Sequence, residues 1–166
     1  MRKIGRTLRF LIPIIALAAL VVFMTGAGRR RKARAVYEAK VEGVMKAWET
    51  GQVNQFHKYY HPDFVVHSPG SPFGDEDLEA IKKRALSDQE LCSDIDLTAE
   101  QLILEGDYGV VRWTWRATYK ATGKELIVKG CTVDHMVDGK AKEAWEYTDW
   151  LGLLQQIGFK LVPPGE

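Results

Sequence analysis

Residues 130–158, GCTVDHMVDGKAKEAWEYTDWLGLLQQIG, decide the fold of this chain. Alternating apolar and polar residues predict one strand over 126–137 and another over 140–148, with a tight turn at Asp138-Gly139 between them. The second strand runs straight into a Leu-rich segment that has the spacing of a short helix. A hairpin that ends in a helix in this way is typical of an α+β domain.

Asp149 stands at the junction between the last predicted strand and that helix, among aromatic neighbours such as Trp145 and Trp150. A carboxyl group in an apolar wall resists ionisation, and this suits it to proton transfer. The same position also suits a helix N-cap, in which the carboxylate accepts hydrogen bonds from free N–H groups. The two roles are compatible, and the residues alone leave both open.

The remainder of the chain predicts the same architecture. Apolar residues recur at helical spacing over most of residues 35–86, and the period changes to two after that point. The predicted elements are helices at 35–50, 53–60 and 75–86 and strands at 63–67, 97–104 and 110–119. A long antiparallel sheet of this kind curls around its helices and leaves a cavity lined by the apolar face of the sheet.

One predicted strand, over 110–119, carries an aromatic stripe. Side chains alternate between the two faces of a strand, so one face holds Val111, Trp113, Trp115 and Tyr119, and the other holds Arg112, Thr114 and Arg116. An aromatic stripe is ordinary core in most proteins, but in a cone with an internal cavity the core and the pocket lining are partly the same surface. Trp113, Trp115 and Tyr119 are therefore candidate substrate-binding residues.

The register of the last hairpin decides which side chains share a face, because a slip of one residue flips every side chain. A two-residue Asp138-Gly139 turn would pair Val137 with Lys140 and turn His135 away from Asp149. A three-residue loop pairs Met136 with Lys140 instead. That register gathers Cys131, Val133 and His135 on one face with Trp145, Tyr147 and Asp149. We favour it because it places Val133, Trp145 and Tyr147 together on a buried face.

The first 34 residues differ sharply in charge from the rest. They hold nine of the chain's 23 Lys and Arg residues and no acidic residue, which leaves 14 basic against 22 acidic residues and a net charge of −8 over 35–166. A domain this acidic would repel phosphates, so we exclude nucleic acid as a partner. Within the basic head, residues 10–28 form a 19-residue stretch without a charge, long enough to cross a bilayer as a helix.

Two interpretations of this head stay open. An uncleaved single-pass membrane anchor is favoured, because the basic block Arg29-Arg30-Arg31-Lys32 follows at once and would hinder translocation after cleavage. A signal peptide cleaved near Thr25-Gly26-Ala27, followed by export, is the alternative. The sequence thus divides into a basic, hydrophobic head over 1–34, a domain over 35–160 and a tail over 161–166.

Several reaction classes lack their sequence patterns. The chain has no Gly-rich phosphate loop, no Ser/His/Asp nucleophile pattern and no CxxC motif. His57 and His61 are spaced like metal ligands, but no HExxH-type pattern surrounds them, and we expect no metal and no cofactor. Cys92 and Cys131 are more ordinary as two buried thiols than as a single bridge.

The order of these motifs resembles the SnoaL-like polyketide cyclases of the nuclear-transport-factor-2-like superfamily. The matching stretches are YYHPDFVVHSPG, ILEGDYGVVRWTWRATY, GCTVDHMVDGKAKEAW and DWLGLLQQIG, and the resemblance spans residues 36–158. It implies a cone-shaped α+β fold in which N-terminal helices pack on a curved antiparallel sheet, here preceded by one hydrophobic helix. It also implies a deep apolar pocket, often within a homodimer packed through the outer face of the sheet.

The resemblance also implies roles for particular residues. A pocket aspartate near the end of the last strand is the general acid/base in such cyclases, with a histidine of the preceding strand beside it, and Asp149 and His135 stand at the matching positions. His67 matches a frequent pocket position, and Trp145 and Tyr147 would add to the aromatic lining. Relatives carry a histidine where this chain has Ala144, and another where it has Tyr119, which leaves substrate identity open.

Two functions therefore follow from the sequence. The first is a membrane-anchored domain that binds a small hydrophobic carbonyl compound and runs cofactor-free acid/base chemistry (cyclisation, isomerisation or dehydration), with Asp149 as acid/base and His135 assisting. The second is a non-catalytic ligand-binding or assembly module tethered to the membrane. The Asp149 and His135 pair favours the first function, whereas the anchor, Ala144 and Tyr119 favour the second.

Overall fold

The computed structural model describes residues 7–162 and 165, with side chains from residue 26 onward. The elements in chain order are helix α1 (Thr7–Thr50), a 3₁₀ helix (Val53–Lys58), strands β1 (Tyr60–His67) and β2 (Glu76–Asp77), helix α2 (Leu78–Leu91), strands β3 (Cys92–Glu105), β4 (Tyr108–Tyr119), β5 (Lys124–Val137) and β6 (Lys140–Thr148), and helix α3 (Trp150–Gln156). Contacts divide the chain into two units, residues 1–36 and 37–166. Everything below concerns the second unit unless stated.

The six strands form one sheet in the order β2-β1-β6-β5-β4-β3. All neighbouring pairs are antiparallel except β1 and β6, which run parallel. The long hairpins β3-β4 and β5-β6 make up most of the sheet, as the change of period to two predicted. The α+β architecture, with helices packed on a curved and largely antiparallel sheet, is confirmed.

Local sequence explains where α2 begins. Glu76 and Asp77 pair with β1 as the short edge strand β2, although the sequence analysis placed them in the first helical turn. The Asp77 carboxylate accepts a hydrogen bond from the backbone N–H of Ala80 at 2.8 Å, so Asp77 is the N-cap and the helix starts after it. Glu76 is thereby fixed just before the helix, and it is 5 % exposed.

The predicted three-residue loop of the last hairpin is wrong. Asp138 and Gly139 both adopt positive φ, at 49° and 80°, which is the geometry of a two-residue turn, and Val137 pairs with Lys140. Further along the same ladder the register shifts by one residue, because Met136 pairs with Ala141 whereas His135 pairs with Glu143. Because of this bulge, Cys131, Val133 and His135 still share one face with Trp145 and Tyr147, as predicted, although the turn differs from the predicted one.

The face that carries those odd-numbered residues is not the buried one. Val133 and Trp145 are only partly buried, and Tyr147 is 54 % exposed. The even-numbered side chains of the same strands face the helices instead, and Asp134 and Ala144 there are 0 % and 1 % exposed. We call these two surfaces the inner face, toward the helices, and the outer face.

The predicted membrane anchor at 10–28 lies mostly outside the described side chains, which begin at residue 26. Within the part of the chain that is described, no helix combines the length and the apolar character that a membrane crossing requires.

Candidate functional site

A cavity of about 740 Å³ lies between the inner face of the sheet and the helices of residues 37–166. Side chains from α1, α2, α3 and all six strands of the sheet form its wall, which is largely apolar. Its large hydrophobic members include Trp48, Phe64, Val111, Trp113, Trp115 and Leu153. A volume of this size, walled mainly by aromatic and aliphatic groups, suits a ligand of two to four fused rings.

Two of the predicted substrate-binding residues, Trp113 and Trp115, line this cavity. The indole N–H of Trp113 donates to the hydroxyl of Thr132 at 2.9 Å, which fixes its ring against β5. Gly130 faces that ring so closely that a Cβ there would lie 2.2 Å from it. Tyr119 instead packs at the end of the strand against the cluster of Cys92 and Val128, outside the cavity wall.

Asp149 is the N-cap of α3. Its carboxylate accepts a hydrogen bond from the backbone N–H of Gly152 at 2.9 Å, and it is not among the side chains that line the cavity. Of the two roles that the sequence left open, the cap is the one with a contact in the structure. The expectation that Asp149 faces the pocket is corrected. Strand β6 ends at Thr148, and the Asp149 side chain is hydrogen-bonded to the N-terminus of α3.

His135, Trp145 and Tyr147 lie on the outer face, and none of them lines the cavity. His135 stacks on Tyr108 with ring centroids 4.9 Å apart and an angle of 16° between the planes. His135 and Asp149 are therefore not brought together at the pocket. The register was favoured for placing Val133, Trp145 and Tyr147 on a buried face, but that face is the outer one, where His135 packs on Tyr108 and Trp145 on His67.

His67 also lies on the outer face, where it bridges two carboxylates. Its Nδ1 is 2.7 Å from Asp75 and its Nε2 is 3.0 Å from Glu143, and its ring packs on Trp145 at 5.7 Å. The two hydrogen bonds, to Asp75 first and to Glu143 second, raise the pKa of His67 above its ordinary value. Asp75 belongs to the cavity wall, so His67 holds one edge of the pocket from outside.

Sequence reasoning missed a cluster of charges on the inner face, centred on Arg84 of α2. The Arg84 guanidinium lies 3.2 Å from the Glu76 carboxylate and 2.9 Å from that of Glu146. It also lies over the ring of Trp48 at 5.2 Å, and the Trp48 indole donates to Asp88 at 2.9 Å. All of these residues line the cavity, so three carboxyl groups surround one guanidinium in a largely apolar wall.

The surplus of carboxyl groups over cations changes their proton affinity. Burial first, and then the nearby Glu146, raise the pKa of Glu76, although Arg84 opposes this. Burial also raises the pKa of Asp88. Burial disfavours the charge on Arg84, but Glu146 and Glu76 outweigh it and raise the pKa of the guanidinium. A cation beside buried carboxyl groups whose pKa values are raised is an arrangement suited to acid/base chemistry.

A second missed group lies on the inner face where α1 crosses β5. Lys40 Nζ is 2.7 Å from both carboxylate oxygens of Asp134, and the Tyr37 hydroxyl donates to the same carboxylate at 3.0 Å. Lys40 is 5 % and Asp134 0 % exposed. Lys40 and Asp134 both line the cavity. A buried ion pair is tolerated only when it is well hydrogen-bonded, and this one is.

Tyr60 lies within electrostatic reach of both clusters. Its pKa is raised far above the ordinary tyrosine value, by burial first and then by Asp134 and Glu146, while Arg84 lowers it. The Lys40 ammonium lies 5.2 Å from the centre of its ring. The Tyr60 hydroxyl therefore stays protonated at any physiological pH, and the two charged clusters share one cavity.

Two signals in the sequence could have located these residues. Leu126 and Val128 are even-numbered residues of the same strand, and following their parity along β5 leads to Thr132 and Asp134 on the inner face. On α1, Lys40 falls at helical spacing between Tyr37 and Val44, which are apolar positions of the buried stripe. A charged residue within a buried stripe is the more informative observation.

Comparison with known proteins gives a consistent result. The sequence profile of the SnoaL-like polyketide cyclases matches residues 39–157. Among solved structures, TsrD from Streptomyces laurentii is 24 % identical, with a TM-score of 0.67 over 75 % of this chain and 96 % of that one. A candidate polyketide cyclase from Acidithiobacillus ferrooxidans is 28 % identical, with a TM-score of 0.63 over 75 % and 93 %.

A candidate polyketide cyclase from Bacillus cereus is 26 % identical, with a TM-score of 0.62 over 72 % of this chain and 78 % of that one. No curated protein matches the chain in sequence. Each comparison covers the domain that holds the cavity.

Proposed function

The chain belongs to the SnoaL-like polyketide cyclase family, and from that premise we propose that its domain binds a small hydrophobic carbonyl compound and converts it by cofactor-free acid/base chemistry. The observation that carries this proposal is the cluster of Glu76, Glu146 and Arg84 in the wall of a 740 Å³ apolar cavity. An apolar wall selects a hydrophobic ligand, and convergent carboxyl groups supply proton transfer.

Glu146 is the proposed base. As a carboxylate it would remove a proton from the carbon next to the ligand carbonyl, which leaves an enolate. Arg84, hydrogen-bonded to Glu146 at 2.9 Å, would hold the carboxylate in place while it gains and loses the proton. Return of the proton to another carbon gives isomerisation, and attack of the enolate carbon on a second carbonyl gives cyclisation.

Glu76 is the proposed acid. Burial raises its pKa, in the direction required of a carboxyl group that donates a proton to an oxygen that becomes a hydroxyl group. A pair of carboxyl groups with different environments around one cation is a recurring way to run acid and base steps at one pH. The proposed acid and base are therefore Glu76 and Glu146, which line the cavity, instead of Asp149 and His135, which do not.

Exchange of hydrogen for deuterium in a simple ketone tests this proposal without knowledge of the natural substrate. The full chain in D₂O should speed the loss of the α-proton signals of 2-tetralone in ¹H NMR, and Glu146→Gln should reduce the enzyme-dependent rate by at least ~100-fold. Glu143→Gln, a change on the outer face of the same strand, is the matched control and should keep the rate. A wild-type rate equal to that of buffer would contradict acid/base catalysis.

The same assay addresses the alternative, a non-catalytic ligand-binding or assembly module. Its support in the structure is that the Arg84 and Lys40 clusters are largely satisfied by their own ion pairs. Saturable binding of 2-tetralone without exchange would favour that alternative over catalysis.

We also propose that residues 10–28 tether the domain to a membrane as a single pass. The support is the uncharged 19-residue stretch between basic clusters in the sequence. The full chain should sediment with membranes and resist extraction at high salt and at alkaline pH, and N-terminal sequencing should find residue 1 or 2. A mature chain that begins near residue 28 would show the exported alternative instead.

Homodimerisation through the outer face remains a prediction of the resemblance.

A further inference from the structure

We propose that Lys40 is a further catalytic residue of the cavity, whose ammonium group binds the carbonyl oxygen of the ligand and stabilises the negative charge that develops there. The inference rests on the proposed function, because it names the group that would face the ligand oxygen while Glu146 removes the proton. It also narrows the ligand class to neutral ketones and enones.

The position of Lys40 is fixed by its partners. Its stem belongs to the buried stripe of α1, and its ammonium is held by both oxygens of Asp134 at 2.7 Å. Asp134 is in turn held by the Tyr37 hydroxyl at 3.0 Å. A lysine normally has a flexible end, but here the end is tied at one place in the cavity wall. Such preorganised charge is what stabilises a transition state in a site from which water is excluded.

The ammonium has donor capacity left for a ligand. It carries three N–H groups, and one carboxylate can take at most two of them. The faces of Tyr37 and Tyr60 also lie near it, with ring centres 5.9 Å and 5.2 Å from Nζ. An aromatic face is a weak acceptor compared with a carbonyl oxygen. A ligand oxygen would therefore complete the hydrogen bonds of a group that water hardly reaches.

The charge balance of the cavity selects against anions. Asp134 neutralises Lys40 in the ground state, and the Arg84 cluster holds more carboxyl groups than cations. The cavity wall holds five acidic side chains against three cations, Lys40, Lys83 and Arg84, so a ligand carboxylate would on balance be repelled. A neutral carbonyl compound is not repelled in this way. Negative charge develops on its oxygen only as the α-proton leaves. Lys40 thus acts on the developing charge rather than on the ground state.

The probes for a test are 9-fluorenone labelled with ¹³C at the carbonyl, and fluorene, which has the same shape without the oxygen. On binding to the full chain, the labelled carbonyl resonance should move downfield from its position in apolar solvent. The affinity for fluorenone should exceed that for fluorene by roughly ten-fold, as expected for a hydrogen bond to a charged donor. 9-Fluorenone-4-carboxylate should bind more weakly than fluorenone.

Lys40→Met alone would leave the Asp134 carboxylate buried without a partner and would unfold the domain or loosen it. The variant to use is Lys40→Met with Asp134→Asn, in which the amide oxygen still accepts from Tyr37. This double variant should lose the downfield shift and the preference for fluorenone, yet bind fluorene as before. Lys142→Met, at an exposed lysine of β6 outside the cavity wall, is the matched control and should change neither.

A second measurement needs no variant. In ¹H–¹⁵N spectra of lysine ammonium groups, the protected signal of Lys40 should shift with fluorenone and not with fluorene. An unchanged carbonyl shift in the double variant, or an ammonium signal that responds equally to both probes, would overturn the role of Lys40 and leave the proposed function standing. Absence of saturable binding by either probe would contradict the proposed function and this inference with it.

Discussion

The inner and outer faces of β5 and β6 are built from alternate residues of the same two strands, yet they differ in kind. The inner face carries Asp134 and Glu146, each engaged by a cation from a helix at 2.9 Å or less. The outer face carries His135 and Tyr147, and Tyr147 is 54 % exposed. On β5 and β6, therefore, the face with the buried charges holds the cavity, and the face with His135 and Tyr147 does not.

Side-chain volume explains why the charges lie inside. Ala141 and Ala144 on β6 are 0 % and 1 % exposed, and their small size leaves room for long side chains that reach down from α1 and α2. Lys40 and Arg84 fill that room, and each brings its charge to a carboxylate of the sheet. The rings on the outer face are not covered by the helices of residues 37–162, and they pack on one another, as His67 does on Trp145.

The largest expected effect comes from breaking an inner-face ion pair. Asp134→Ala removes the carboxylate that pairs with the Lys40 ammonium at 2.7 Å and leaves a buried positive charge, so the free energy of unfolding should fall by about 3–5 kcal/mol. Tyr147→Ala on the outer face should cost less than about 1 kcal/mol. Urea denaturation of both variants measures the difference, and equal losses would remove the distinction between the faces.

A smaller effect should follow from crowding the same network through the backbone. A Cβ at Gly109, which pairs with Asp134 across the sheet, would lie 2.3 Å from the ring of Tyr37. Gly109→Ala should therefore push the Tyr37 hydroxyl off Asp134 and lower the free energy of unfolding by about 1–3 kcal/mol. In a Tyr37→Ala background the same change should cost much less, because the ring is gone. A cost that does not depend on Tyr37 would show a different cause.

The smallest effect concerns the outer face and pH. The pKa of His67 is raised in the folded state by Asp75 and Glu143, so its contribution to stability is complete below the unfolded value of ~6.5. That contribution is lost as pH rises through the folded pKa. Because His67 is about one-third exposed, the effect should be local. The protection factors of the backbone amides of residues 68–75, from which the intrinsic base-catalysed exchange is divided out, should fall over that pH range in the wild type.

His67→Gln should abolish this pH dependence, since glutamine does not titrate there. A loop that responds to pH equally in the variant would show that another group is responsible.

Much of the fold could be predicted from sequence because local patterns determine it. The hairpin residues 126–148 show a period of two and a turn signal, and the helix at 35–50 shows an apolar stripe. The site could not be predicted in the same way. Asp138-Gly139 does form the two-residue turn that its sequence favours, and the bulge between Met136 and His135 then shifts the register. The alternation of apolar and polar residues along these strands does not predict that bulge.

The sequence pointed to Asp149 and did not single out Glu146, for a related reason. Both carboxyl groups lie near tryptophan in the sequence, and only the direction of the side chain separates them. That direction follows from the strand register, which pairs Glu146 with Thr132 on the inner face, where Arg84, 62 residues away along the chain, binds it. Aromatic neighbours in sequence therefore do not identify a pocket carboxyl, whereas a cation on the facing helix does.

The central claim is that proton transfer belongs to the inner-face carboxyl Glu146 and not to Asp149. Deuterium exchange into 2-tetralone, measured side by side for Glu146→Gln and Asp149→Asn, tests it most directly. Asparagine is as good an N-cap as aspartate, so Asp149→Asn should fold normally. We expect Asp149→Asn to keep the wild-type exchange rate and Glu146→Gln to lose it. Loss of exchange in Asp149→Asn with a normal rate in Glu146→Gln would contradict the account.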